Sequence, residues 1–113
     1  MAVYSGVPAV LTAIATSDTT LLNPATGNSF ELYAGVVHNT GATVLAVEIF
    51  LGSDATSASG ERVFSASLEG GETRRIPPVT VRPSYFLIGK ADSAGINFYG
   101  TYARRTGTDV GLS

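Results

Sequence analysis

Apolar and polar residues alternate along most of this chain with a period of two. In residues 29–38, SFELYAGVVH, an extended strand sets Phe30, Leu32, Ala34 and Val36 on one face and Glu31, Tyr33, Gly35 and Val37 on the other. Residues 43–51, TVLAVEIFL, group Leu45, Val47, Ile49 and Leu51 against Val44, Ala46, Glu48 and Phe50, and Glu48 marks its face as the one nearer water. Residues 61–68 oppose Val63 to Phe64, Ala66 and Leu68. Residues 84–91 place Phe86, Ile88 and Lys90 together, with Tyr85 and Leu87 opposite. Residues 96–104 divide into Ile96, Phe98, Gly100 and Tyr102 against Asn97, Tyr99, Thr101 and Ala103. Residues 9–16 supply a first strand, with Leu21-Leu22 following a bend. No window sustains a 3.6-residue pattern, so no long helix is expected.

Turn signals punctuate these runs at Asn23-Pro24 to Gly27-Asn28, Asn39-Thr40-Gly41, Gly52 to Gly60, Gly70-Gly71, Pro77-Pro78, Pro83 and Asp92 to Gly95. That spacing suits strands and is too tight for a helical bundle. Asn39-Thr40-Gly41, Glu69-Gly70-Gly71-Glu72 and Asp92-Ser93-Ala94-Gly95 read as hairpin turns, the second with glycine where positive φ is needed. Strands joined in this way need two layers to bury their inner faces. The expected fold is an all-β antiparallel sandwich or jelly roll of seven to eight strands. Its expected core holds Phe30, Leu32, Leu45, Val47, Ile49, Phe86, Ile88, Ile96 and Phe98. One domain spans 9–105, between an N-terminal arm at 1–8 and a C-terminal tail at 106–113. The small residues from Gly52 to Gly60 read as a mobile surface loop.

Composition narrows the chemistry. There is no Cys, which removes disulfides, thiolate metal sites and a Cys nucleophile. The single His, His38, sits beside a turn without a G-x-S-x-G elbow to partner it, so a structural or surface role is expected. Asp54 and Glu61 flank the small-residue loop but lack the close alternating carboxylates of a calcium loop. The remaining acids are scattered, and no phosphate-cradling glycine motif occurs. No metal, no cofactor and no catalytic residue is expected. A net charge of −2 favours neither nucleic acid nor an acidic membrane as a partner. No apolar run approaches the ~20 residues of a membrane span, and no signal peptide is expected.

Charged residues make up only 14% of the chain, against about 25% in a typical soluble domain. Such a weakly charged outside points to a surface covered by another protein. Two pairs of arginines, Arg74-Arg75 and Arg104-Arg105, stand on strands, where only one of each pair faces a given surface. Arg74 and Arg75 are candidate partner-binding residues. So are Val3, Tyr4 and Val7, apolar side chains on an arm with little of its own to pack against.

The order of motifs between residues 14 and 105 carries a resemblance. Thr16-Ser-Asp-Thr-Thr-Leu-Leu22 is followed by a Pro-Ala-Thr-Gly turn and by a strand ending His38-Asn39-Thr40-Gly41. Then come a Val/Leu/Ile strand, Ser67-Leu-Glu-Gly-Gly-Glu-Thr73, a Pro-containing strand and Lys90-Ala-Asp-Ser-Ala-Gly-Ile-Asn97 before a last aromatic strand. This resembles the small β-sandwich structural proteins of tailed bacteriophages, with their "N-T-x-G-x-x-V-T-V", "L-x-x-G-E-T" and "A-S-A-A-G-V-N-V" runs. The chain departs from them in its long 52–60 segment and in Asn23 before Pro24. The resemblance implies a virion protein without enzymatic activity, made in the bacterial host cytoplasm. A capsid decoration protein, a homo-oligomer bound to the major capsid protein, is the first expectation. A neck, tail or head-fibre component bound to other virion proteins is the second. A carbohydrate-binding sandwich is the third, disfavoured by the lack of Trp and by aromatics alternating between faces.

Overall fold

The computed structural model describes residues 9–24 and 28–106. They form nine strands: β1 (Ala9–Ile14), β2 (Thr19–Leu22), β3 (Asn28–Asn39), β4 (Leu45–Gly52), β5 (Glu61–Leu68), β6 (Thr73–Ile76), β7 (Val79–Val81), β8 (Phe86–Ala91) and β9 (Ile96–Thr106). One turn of 3-10 helix, Ser57–Ser59, lies between β4 and β5. Two antiparallel sheets pack as a sandwich. The first runs β1-β9-β3-β6, with β7 also paired to β3, and the second runs β2-β8-β4-β5. Pro77-Pro78 separates β6 from β7 because neither proline has an N–H to give the ladder. Taken as one position, β6 and β7 complete two four-stranded sheets in jelly-roll order, which fits the expected sandwich or jelly roll, with nine strands in place of seven to eight.

The turns behave differently from expectation. The reversals at Asn39-Thr40-Gly41, Gly70-Gly71 and Asp92 to Gly95 are not hairpins, because each carries the chain from one sheet to the other. Only β4 and β5 are joined as neighbours in one sheet, through the 53–60 segment. Gly71 has the expected positive φ, +80°. Gly70 is required for a different reason: a Cβ there would lie 2.8 Å from the backbone of Ala42 in the opposing turn.

Two face assignments are also corrected. In β3 the register against β9 slips between Leu32 and Ala34, a bulge at Tyr33. The extra residue inverts the alternation, so Leu32 points inward while Ala34 and Val36 point out, and Gly35, Val37 and Asn39 take the inner face. In β8 the inward residues are Leu87, Gly89 and Ala91, opposite Leu51, Ile49 and Val47. Ile88 is fully buried but on the outer side of its sheet, and Phe86 is half-buried outside the core cluster, while Tyr85 packs against it. The other expected core residues lie in the sandwich, with Phe30 half-buried at its margin, 4.6 Å from the Tyr102 ring.

The Gly52 to Gly60 segment, expected as a mobile loop, packs on the β2-β8-β4-β5 sheet instead. Its helical turn lies against β4 and β8, and the Ser57 N–H donates to the Asp18 carboxylate at 2.9 Å. Inside the segment, Asp54 accepts from the N–H and hydroxyl of Thr56. The Ser57 N–H and hydroxyl hold the Asp18 carboxyl below its ordinary value, and Lys90 adds a smaller contribution. A depressed carboxyl pKa contributes stability above the unfolded value that disappears as pH falls through the folded one. Asp18→Ala is therefore expected to speed amide exchange at Ser57 at neutral pH while leaving core amides protected. The wild type should lose that local protection only below about pH 4. Equal exchange at Ser57 in both proteins at pH 7 would remove Asp18 as the anchor.

Candidate functional site

The outer side of the β1-β9-β3-β6 sheet is assembled from three cross-strand rows. Leu11 stands opposite Tyr99, Tyr99 opposite Val36, and Val36 opposite Arg75. On one side of this row lie Thr101 and Ala34, and on the other Ala13, Asn97, His38 and Thr73. The face exists in this form because of the Tyr33 bulge, which turns Ala34 and Val36 outward beside Tyr99. Leu11 is 65% exposed and Tyr99 38%, well above the usual exposure of such large side chains in a sheet. A shallow groove of about 260 Å³ in this face is lined by Leu11, Val36, Tyr99, Ala34 and Thr101 among others. These rows contain no carboxylate, and their one formal cation, Arg75, has no acidic partner among the described residues.

The opposite face of the molecule is built otherwise. There Glu48 pairs with Arg62 at 3.0 Å and stands across from Lys90, and the 53–60 segment lies over part of the sheet. Its apolar residues Ile88 and Phe50 are buried or half-buried.

The sequence-predicted site residues fall into three groups. Arg74 and Arg75 do point to opposite sides of β6. Arg74 is bound to Glu72, whose carboxyl is held below its ordinary value first by that guanidinium and then by the Glu69 N–H. Arg75 lies on the outer face at the end of the Leu11–Tyr99–Val36 row. The pair is thus one edge ion pair and one guanidinium without an acidic partner among the described residues. Val3, Tyr4 and Val7 lie outside the described residues. The sequence alone does not single out Leu11, Val36 and Tyr99: strict alternation puts Val36 on the face of Phe30 and Leu32, and only the bulge reverses it.

His38 Nδ1 lies 2.7 Å from Thr73 Oγ1 across the β3–β6 pair, a bond that joins an edge strand to its neighbour. Asn23, the departure before Pro24, donates its side-chain N–H to the Tyr85 carbonyl at 2.8 Å and so ties β2 to the turn before β8. Among the described residues no three His, Asp or Glu side chains group as metal ligands, and no helix is long and apolar enough to cross a membrane.

The motifs behind the phage resemblance converge at one pole of the sandwich. Asn39 Nδ2 donates to the carbonyls of Thr43 (2.7 Å) and Leu68 (3.0 Å), and its Oδ1 accepts from the Gly41 N–H (2.9 Å). Its backbone exchanges bonds with Glu72 and Gly71. Thr40 donates from its N–H and hydroxyl to the Gly95 carbonyl. The N-T-G, L-E-G-G-E-T and A-D-S-A-G motifs thus hold one another. They are the fastening of the two sheets, and the resemblance they carry concerns fold.

No protein-family model and no curated protein sequence matches the chain. Among solved structures it is similar to a protein of Bacillus endospore appendages, described as a family of disulfide-linked pili, with TM-score 0.54 and 14% identity over 89% of this chain and 85% of that one. A pentameric capsid protein from metagenomic phage sequences aligns with TM-score 0.47 and 14% identity, over 87% of this chain and 61% of that one. PirA aligns with TM-score 0.44 and 16% identity, over 89% and 95%. The first of these likenesses supports the sandwich fold over the aligned 89% of this chain.

Proposed function

We propose that this protein is a non-enzymatic structural subunit of a bacteriophage virion, most simply a capsid decoration protein that docks on the major capsid protein. The observation that carries the reading is the apolar row Leu11–Tyr99–Val36 on the outer face, which ends in Arg75. Among the described residues, hydrogen-bonded polar side chains serve mainly turns, edges and loop anchors, whereas this face presents apolar side chains together. A face of this kind suits association, with Tyr99 as an aromatic anchor and Arg75 at the rim for a carboxylate on the partner. The motif resemblance supplies the virion context, and the low charge of the whole chain agrees with life inside an assembly.

The test uses particles of the phage that encodes the chain, purified and imaged with the wild-type protein and with Val36→Glu. The substitution puts a charge in the middle of the face, at a surface strand position that costs the fold little, within about 0.5 kcal/mol. Occupancy on particles is expected to fall by roughly tenfold or more, equivalent to ~1.4 kcal/mol of binding, with the melting temperature unchanged. Added density on the capsid shell identifies a decoration protein, and density at the neck, tail or fibres identifies the second reading. A protein missing from purified particles altogether would refute both.

A further inference from the structure

The two sheets have four edges, and three of them are blunted. The β6–β7 edge carries Arg74, Arg75 and the Pro77-Pro78 interruption. The β5 edge carries Glu61 and Arg62 and has an irregular register against β4. The β2 edge is four residues long and also slips in register. These are the devices by which sheet proteins discourage pairing with other chains. The β1 edge has none of them. Ala9–Ile14 reads Ala-Val-Leu-Thr-Ala-Ile, without charge or proline, and keeps an unbroken register of six pairs with β9. Among the described residues no strand pairs with its other side.

We infer that β1 is the homo-oligomer contact, pairing antiparallel with β1 of a second copy so that the two β1-β9-β3-β6 sheets become one. This rests on the reading of the chain as an assembly subunit. A two-fold axis perpendicular to the sheet keeps outer faces on one side, so outward residues must stand opposite outward residues. Centring the pair on Leu11 satisfies this, with Leu11 opposite Leu11 and Ala9 opposite Ala13. No like charges meet, because β1 has none. The exposed Leu11 gains an apolar cross-strand partner. The rows Leu11–Tyr99–Val36–Arg75 of the two copies then join end to end into one continuous apolar strip with an arginine at each end. A second copy explains the open edge and extends the docking face in a single step, which a strand of a different protein does not.

The absence of Cys allows a direct test on the full chain. Directly opposed Cα atoms in an antiparallel pair lie ~4.5–5.5 Å apart, inside the range that a disulfide spans. Leu11→Cys is expected to form a covalent dimer under mild oxidation at least about tenfold faster than Val44→Cys, an equally exposed control, because pairing raises the local thiol concentration. In sedimentation the wild type should be dimeric and Leu11→Lys monomeric, with unchanged circular dichroism. A monomeric wild type, or a dimer that survives Leu11→Lys and leaves Leu11→Cys no faster than Val44→Cys, would overturn the pairing. Dimers that cross-link through Leu11→Cys but are missing from particles would keep the pairing and remove the virion reading. Particle occupancy without cross-linking would do the reverse.

Discussion

Asn39→Leu is expected to be among the most damaging single substitutions in the molecule, destabilising it by about 3–5 kcal/mol. Asn39 is fully buried, and its amide satisfies two carbonyls and one N–H drawn from the β3–β4 turn and from the end of β5. Leucine fills nearly the same volume, so the loss comes from three polar groups left unpaired rather than from a cavity. Out of a total stability of ~5–15 kcal/mol this brings the fold close to collapse. Asn39→Asp separates the hydrogen-bond argument from any packing effect. An ionised aspartate keeps the acceptor for Gly41 but aims negative oxygens at the carbonyls of Thr43 and Leu68. Its folded pKa is raised, so its deficit relative to wild type should shrink as pH falls and a protonated carboxyl again donates. Urea unfolding of the three proteins at pH 7 and pH 4 checks this. A deficit for Asn39→Leu below 1 kcal/mol would show that Asn39 does not fasten the pole.

Phe98→Ala is expected to cost about 3–5 kcal/mol by a different route. Phe98 is fully buried on β9, the strand flanked by β1 and β3, and belongs to the main core cluster with Leu32, Val37 and Ile96. Truncation removes the largest fully buried side chain and leaves a void that paired strands on both sides cannot close. The melting temperature should fall by roughly 12–40 °C, following the ~4–8 °C per kcal/mol typical of domains near this size. Calorimetry reads both values. Phe98→Leu should recover more than half of the loss, since it restores most of the volume. A loss as small as that of a surface substitution would mean that the two sheets do not close on Phe98.

Several features of this protein were set by local sequence alone. Period-two alternation and the spacing of turn residues specify strands, and apolar faces on reversing strands demand two layers. Both properties depend only on the pleat and on residues within a few positions. The motifs around Asn39, Gly70 and Gly95 are legible as turns for the same reason. What the turns connect was decided only in three dimensions. Turn chemistry reverses the chain but does not say whether the next strand joins the same sheet. The crossing at Asn39-Thr40-Gly41 depends on Leu68 and Glu72, about thirty residues away in sequence and brought there by the opposite turn. The interaction face was hidden for a related reason. One extra residue at Tyr33 inverts the face of every following position of β3, and a bulge leaves no mark on the alternation until its partner strand is known. The 53–60 segment shows the same limit: its packing against β4 and β8, with Ser57 held by Asp18, is a long-range contact between residues whose types alone read as solvent-exposed loop.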